Sequence, residues 1–225
     1  MNDQANKAEA FSTAVFLTLS GGFQDAYTYL TRDKVFANGQ TGNIVLLAKN
    51  LAESEWSVAL GYAIPVFSFI IGIYVAEVLK THFSTLKRFH WSQLVLMIEI
   101  SILFAVGFIS HGLNPLANAL VSFVCALQVE TFRKVKGISY ATTMCIGNLR
   151  SGTELLHAYH HTKDKETRAK AFQYFEVIML FALGAAFGGL VSERYDIKAI
   201  WVSCGLLAIS FLMLFTKGKT ETTSP

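Results

Sequence analysis

The sequence is poor in charge and in paired cysteine, and each shortage excludes a class of protein. Only 16% of its 225 residues are charged, against about 25% in ordinary soluble domains. Its three cysteines, Cys125, Cys145 and Cys204, are an odd number without a C-x-x-C pair. This pattern excludes a disulfide framework, a redox couple and a zinc knuckle. The formal net charge of +3 is too small and too scattered to indicate a nucleic-acid partner.

What the sequence has instead is hydrophobic residues, which make up 52% of the chain and exclude an intrinsically disordered protein. They gather in stretches of about 20 residues, the length that crosses a bilayer. The stretches lie at 11–30, 57–79, 91–110, 113–132, 172–192 and 197–216. Most of them lack the polar face that soluble helices keep. The sequence therefore predicts an all-α polytopic membrane protein with about six transmembrane helices, surrounded by the lipid bilayer.

The distribution of lysine and arginine predicts the orientation of the chain. With six spans both termini lie on one side of the membrane. That side carries 14 lysines and arginines, and the other side carries 5. Because cytoplasmic loops are enriched in these residues, we expect both termini, the short polar tails 1–10 and 217–225, to be cytoplasmic.

Two long connections indicate an internal repeat. Each contains an apolar stretch too short to span, at 41–52 and 141–159, as expected of a re-entrant or interfacial helix. At an offset of 105 residues Asp25 falls on Glu130, and Gly42-Asn43 falls on Gly147-Asn148. The pattern Gly72-x-x-x-Ala76 in the second span recurs as Gly184-x-x-x-Gly188 in the fifth, at an offset of 112 residues. The pattern predicts two inverted three-helix repeats, about 11–110 and 113–216, in one membrane domain, each with a short broken or re-entrant helix.

Ionisable side chains inside the apolar stretches are functional candidates, because burying them in a bilayer is costly. Asp25, beside Gln24 and near Tyr27, fits a cation or proton site, but a carboxylate satisfied by Arg32 or Lys34 fits equally well. Glu99 lies in mid-span without a nearby basic residue, so a functional acid and a hydrogen bond to a neighbouring helix both stay open. For Glu130, an ion pair with Arg133 or Lys134 is the simpler explanation.

Two polar turns precede the short helices. The first, Asn38-Gly39-Gln40-Thr41-Gly42-Asn43, is rich in residues that tolerate a positive φ and cap helices. The second, 141–148, offers the same arrangement with fewer polar groups. Such turns direct free backbone N–H groups into a cavity, or they simply satisfy a broken helix. No Gly-Lys-Ser/Thr follows either turn, which excludes a P-loop, and no catalytic Ser/His/Asp order is visible.

These residues also carry a resemblance to a known family. The run Gly22-Phe23-Gln24-Asp25-Ala26 and the segment 36–43 resemble the paired N-terminal signature of the YoaK-like family. The pair Gln128…Arg133 and Thr142-Thr143-Met144…Gly147 resembles its second half. The family comprises uncharacterised bacterial inner-membrane proteins grouped under a domain of unknown function. The resemblance, over about residues 12–215, implies a fold and an inner-membrane location but no biochemical activity.

Together these features favour a small-solute or ion transporter with a site between the two repeats. The alternative is a non-transporting scaffold or accessory subunit, and an enzyme is not expected. The residues predicted to form the site are Gln24, Asp25, Tyr27, Asn38, Thr41, Gly42, Asn43, Glu99, Gln128, Glu130, Thr142, Thr143, Gly147 and Asn148. The predicted partner is a small polar solute or cation. A homo-oligomer stays open, and neither a metal nor another cofactor is expected.

Overall fold

The chain forms a bundle of helices. The computed structural model describes residues 11–83, 91–135, 138–139 and 142–214. Its α-helices are α1 (Phe11–Thr31), α2 (Gln40–Ala52), α3 (Trp56–Phe83), α4 (Trp91–Val106), α5 (Asn114–Thr131), α6 (Cys145–Thr162), α7 (Lys165–Tyr195) and α8 (Ile200–Met213). Short 3-10 helices lie at His111–Leu113 and Asp196–Ala199, and two-residue strands β1 (Lys134–Val135) and β2 (Ile138–Ser139) pair antiparallel.

The membrane class predicted from composition agrees with the helix lengths. Three helical stretches of the described chain are long and apolar enough to cross a membrane: Trp56–Phe83, His111–Thr131 and Lys165–Met213. Trp91–Val106 is apolar but shorter. These helices suggest a membrane protein. Each of the six predicted apolar stretches coincides with an α-helix, although α7 begins several residues before the predicted start at 172.

Local sequence signals explain where several helices begin and end. The Asp164 side chain caps α7 by accepting hydrogen bonds from the backbone N–H of Glu166 and Thr167. These bonds and one from the Thr167 hydroxyl hold the pKa of Asp164 below its usual range. Lys163, with a φ of 55°, ends α6 in the left-handed conformation. Pro115 lies in the first turn of α5, where its missing N–H is harmless.

The helices pack in a pattern that is unchanged when the two halves of the chain are exchanged. Helix α1, from the first half of the chain, packs against α7 and α8 from the second half. Helix α5, from the second half, packs against α3 and α4 from the first. The short helix α2 packs against α3, just as α6 packs against α7. Finally, α4 and α8 pack against each other. We call α1, α6, α7 and α8 the first bundle, and α2, α3, α4 and α5 the second bundle. Each bundle therefore takes its leading helix from the other half of the chain.

Glycines allow the closest helix contacts. A Cβ at Gly22 would overlap the carbonyl oxygen of Phe181, and one at Gly184 would overlap that of Leu19. Gly188 lies beside the backbone of Phe23, so α1 and α7 run in the same direction. Gly72 makes the equivalent contact between α3 and the carbonyl oxygen of Phe123 in α5. Small residues at these positions let the helix backbones touch, as in membrane helix pairs.

Both predicted short helices exist, and both begin beside the middle of α1. Just before α2, the Asn38 side chain donates a hydrogen bond from Nδ2 to the Gly21 carbonyl oxygen, at 3.2 Å. Just before α6, the Thr143 methyl group fills the space that a Cβ at the same glycine would occupy. The two polar turns therefore approach α1 at the same level of the bundle.

Candidate functional site

A fully buried group of polar side chains is centred on Gln24. Its Nε2 donates to Ser20 Oγ at 2.9 Å, to Ser203 Oγ at 3.0 Å and to Glu99 Oε1 at 3.4 Å. Its Oε1 accepts a hydrogen bond from Cys125 Sγ at 2.8 Å. We call these five residues the polar crossing, because α1 and α8 of the first bundle meet α4 and α5 of the second there.

Glu99 is the least satisfied member of the polar crossing. Two amide hydrogens on Gln24 Nε2 serve three oxygens, and the contact with Glu99 is the longest. Its other oxygen, Oε2, has no hydrogen-bond partner among the described residues. The side chain is 0% exposed, so a hydrogen bond to a neighbouring helix is present but leaves the carboxyl group largely without partners. A buried polar atom in that state is costly and is a reason to look for a ligand.

Asp25 lies beside the polar crossing but faces the first polar turn. Its Oδ1 accepts a hydrogen bond from the backbone N–H of Asn38 at 2.6 Å, and the N–H groups of Ala37 and Gly39 point toward the same carboxylate. Consecutive backbone N–H groups form an anion-binding nest. Arg32 and Lys34, proposed from the sequence as partners of Asp25, make other contacts: Arg32 binds helix ends, and Lys34 lies over the Tyr29 ring. Asp25 therefore anchors the turn before α2 to α1.

The first polar turn is folded by its own amide side chains. Asn43 accepts from the backbone N–H of Phe36 at 3.1 Å and donates to the Phe36 carbonyl oxygen at 2.8 Å. Gln40 accepts from Asn43 and donates to the Ala37 carbonyl oxygen. Gly42 packs on the Phe36 ring, and Thr41 is exposed. The hydrogen bonds of Gln40 and Asn43 therefore hold the turn in its fold.

The second polar turn is tied to α1 through Gln128 of α5. Gln128 Nε2 donates to the Leu17 carbonyl oxygen at 3.3 Å and to Thr142 Oγ1 at 3.2 Å. Thr142, Thr143 and Asn148 are buried, whereas Gly147 is exposed. Residue 141, where this turn begins in the sequence prediction, lies outside the described residues.

Tyr27 belongs to a separate network at one end of the bundle, built on the fully buried Arg32. The Tyr27 hydroxyl accepts from Arg32 Nε at 2.9 Å and donates to the Ile197 carbonyl oxygen. The Arg32 guanidinium also donates to the carbonyl oxygens of Val106 and Ile109, at 3.1 and 2.9 Å, and to Asn114. It thus binds the C-terminal end of α4, where a helix dipole favours a cation.

Glu130 lies at the opposite end of the bundle from Arg32. It forms an ion pair with Arg133 at 2.9 Å and lies 4.0 Å from Lys80 of α3. The ion pair that the sequence suggested as the simpler explanation is therefore present, with Arg133. This arrangement places Glu130 away from the polar crossing.

The structure thus brings together part of the predicted site and adds residues that the sequence did not indicate. Gln24, Glu99 and Asn38 meet at the middle of the bundle, and Asp25 lies next to them. Ser20 and Ser203 join them although the sequence analysis passed over both. Serine is common in membrane helices, and the one available signal was the helical spacing of Ser20 and Gln24, four residues apart.

Comparison with known proteins identifies the family. The model of the family described as "Protein of unknown function (DUF1275)" matches residues 13–213, and the chain belongs to this family. The resemblance inferred from the Gly22–Ala26 and 36–43 motifs is consistent with it. Neither a curated protein nor a solved structure matches the chain.

Proposed function

We propose that this protein is an inner-membrane transporter of a small solute or ion, with its site at the polar crossing. The observation that carries the proposal is the position of that crossing. Four polar side chains of 0% exposure are linked there by hydrogen bonds where the two bundles meet: Ser20, Gln24, Glu99 and Ser203. Transporters built from inverted repeats bind their substrates at such an interface, near the middle of the bilayer.

Helix lengths support six membrane crossings. The stretch Lys165–Met213 has 49 residues, which at 1.5 Å per residue is about 74 Å, far more than a bilayer core of about 30 Å. It is interrupted at Asp196, where φ is 49°, by a 3-10 turn. Two crossings, α7 and α8, account for this length. With α1, α3, α4 and α5 the total is six.

The matching helix contacts of the two halves support two inverted repeats. Three spans in each half place the second half upside down relative to the first. The pairing of α1 with α7 and of α5 with α3 fits that arrangement, and the two helices of each pair run in the same direction. Residues of the crossing also occupy related positions. Ser20 and Cys125 are 105 residues apart, and Glu99 and Ser203 are 104 apart.

The alternative, a scaffold without transport, needs the polar crossing only for packing. A packing role favours polar groups that satisfy one another, since a partly satisfied network is less stable than an apolar core. Glu99 does not meet that condition. Glu99 and Gln24 are both 0% exposed. In the proposed transport cycle this structure is therefore a conformation in which the site is closed to solvent on both sides. Transport then requires the two bundles to separate at the crossing.

Flux measurements on reconstituted protein test the proposal. Proteoliposomes are given concentration jumps of sodium, potassium and ammonium chloride, glycine and glucose, and the uptake of each solute is measured. We expect a transport signal for at least one of them in the wild type, and its loss in Glu99→Gln. The control Arg150→Met changes an exposed arginine far from the crossing and should keep the signal. If no flux exceeds that of protein-free liposomes, or if Glu99→Gln transports normally, the scaffold is favoured.

The proposed orientation predicts where added cysteines can be labelled. Positions 5 and 220, which lie outside the described residues, are expected to be cytoplasmic because of the excess of lysine and arginine on that side. A membrane-impermeant maleimide added to intact cells should therefore leave cysteines at these positions unlabelled and label them after permeabilisation. A cysteine at position 54, in the turn after α2, is the control, because it is expected on the outer side and should be labelled in intact cells. Labelling of position 5 or 220 in intact cells contradicts the orientation.

A further inference from the structure

We infer that the polar crossing binds a small, dehydrated monovalent cation, with Glu99 as its charged ligand. This inference rests on the proposed function, because it names the class of ion that a transport site here would hold. The evidence for it is that several buried side-chain oxygens near the crossing lack a hydrogen-bond partner among the described residues. We call a buried side-chain oxygen unpaired when it has no hydrogen-bond partner among the residues that the structure describes.

Three carboxamides present unpaired oxygens, and α1 fixes their orientation. Asn38, Gln128 and Asn118 each donate from the amide nitrogen to a backbone carbonyl oxygen of α1 or of the residue after it. The acceptors are Gly21, Leu17 and Arg32, respectively. A carbonyl oxygen accepts only from the nitrogen side of an amide. The oxygens of all three amides are therefore the atoms left unpaired.

Four unpaired oxygens lie within about one helical turn of the contact between Gln24 and Cys125. Glu99 contributes Oε2 and itself contacts Gln24, and Asn38 is bonded to α1 one turn before Gln24. Ser122 and Gln128 lie three residues before and after Cys125 on α5, and each has an unpaired oxygen. Since one turn of helix rises about 5.4 Å, oxygens from α4, α5 and the turn before α2 lie near the crossing.

A cluster of oxygen acceptors with one carboxylate favours a cation as ligand. Protein sites for hard cations use carboxylate, amide and hydroxyl oxygens, and potassium-channel filters replace an ion's hydration shell with carbonyl oxygens. An anion needs donors, whereas the Gln24 amide nitrogen already serves three oxygens. A single positive charge also neutralises the Glu99 carboxylate in surroundings where an unpaired charge is costly.

Arg32 sets the boundary of this site at one end of the bundle. Its buried guanidinium lies beyond Asn118 on α5, close to Asn114. A fixed positive charge in buried surroundings repels cations. The cation site is therefore confined to the stretch between Asn118 and Gln128, with Glu99 near its middle.

Thermal unfolding of the purified full-length protein in detergent tests the inference. The melting temperature is measured at constant pH and ionic strength in sodium, potassium, ammonium or choline chloride. We expect at least one small cation to raise it relative to choline by about 3–6 °C at ten times its dissociation constant. Glu99→Gln and Ser122→Ala should each lose most of this rise. The Ser122 hydroxyl has no partner in the described structure, so its removal should leave the melting temperature in choline nearly unchanged.

Ser192→Ala is the matched control. Ser192 also has a buried, unpaired hydroxyl, but it lies near the end of α7, away from the crossing, and its variant should keep the full cation effect. Equal melting temperatures in all four salts, or a rise that survives both Glu99→Gln and Ser122→Ala, overturn the inference. The inference is also overturned if the melting temperature depends on pH through Glu99 but not on the cation, because Glu99 then binds a proton instead.

The two proposals fail in different ways. A cation effect that depends on Glu99, in a protein without flux, overturns the transporter and supports the cation site. Flux of a neutral solute without any cation effect overturns the cation site and supports the transporter.

Discussion

Replacing Arg32 by methionine is expected to be among the most destabilising single changes in the protein. The guanidinium is completely buried and donates to the Tyr27 hydroxyl, to Asn114 and to the carbonyl oxygens of Val106 and Ile109. Methionine fills a similar space but leaves these acceptors without their donor. Removing one partner from a buried charged network costs about 3–5 kcal/mol. The melting temperature of the purified protein should fall by about 10 °C or more.

Two further variants separate charge from geometry at this position. Arg32→Lys keeps the positive charge, but a single ammonium group cannot reach the four acceptors that the planar guanidinium reaches, so we expect an intermediate melting temperature. Arg150→Met removes an arginine whose side chain is 80% exposed and should change stability by no more than about 0.5 kcal/mol. If Arg32→Met melts like Arg150→Met, the buried network does not stabilise the fold.

Replacing Gly22 by alanine is the second change with a large expected effect. The added methyl group would overlap the carbonyl oxygen of Phe181 and lie 2.9 Å from the backbone nitrogen of Ala185. Since both are backbone atoms, α1 and α7 must move apart. Overpacking of this kind costs about 1–3 kcal/mol, sometimes more. We expect a lower melting temperature and less monodisperse protein in size-exclusion chromatography.

The control for Gly22 is a glycine where alanine is expected to raise stability instead of lowering it, because the added methyl group meets no neighbour. At Gly205 in α8, an added Cβ has no described atom within 4 Å apart from its chain neighbours and the nearby backbone of its own helix. There alanine should stabilise the helix by up to about 1 kcal/mol, because glycine is a poor helix former. Equal effects of Gly22→Ala and Gly205→Ala would show that α1 and α7 do not touch as closely as described.

Hydropathy predicted the helices well because membrane crossing and helix formation depend on the same local property. The stretches 57–79 and 91–110 became α3 and α4, and the short apolar segments became α2 and α6. Each of these elements depends on residues that are neighbours in sequence. Their existence therefore followed from composition and length alone.

The roles of individual polar residues were harder to predict, because they depend on distant partners. Arg32 ends an apolar stretch, where arginine usually reaches the interface. Its burial follows from carbonyl oxygens that α4 and the turn after it supply more than 70 residues later. Likewise, Ser203 meets Gln24 only because α8 packs on α1. For Asp25 the sequence left open a cation or proton site and a carboxylate satisfied by Arg32 or Lys34, whereas the backbone N–H of Asn38 in the following turn binds its carboxylate.

The exchanged arrangement of the two bundles also affects how the chain is made. A ribosome releases α1 first, yet the helix that covers its glycine face, α7, is among the last to leave. Until then the Gly22 surface faces lipid or the insertion machinery without its native neighbour. Contacts between segments so far apart in sequence form slowly. The first half of this protein is therefore expected to wait in the membrane, inserted but unassembled, until translation is nearly complete.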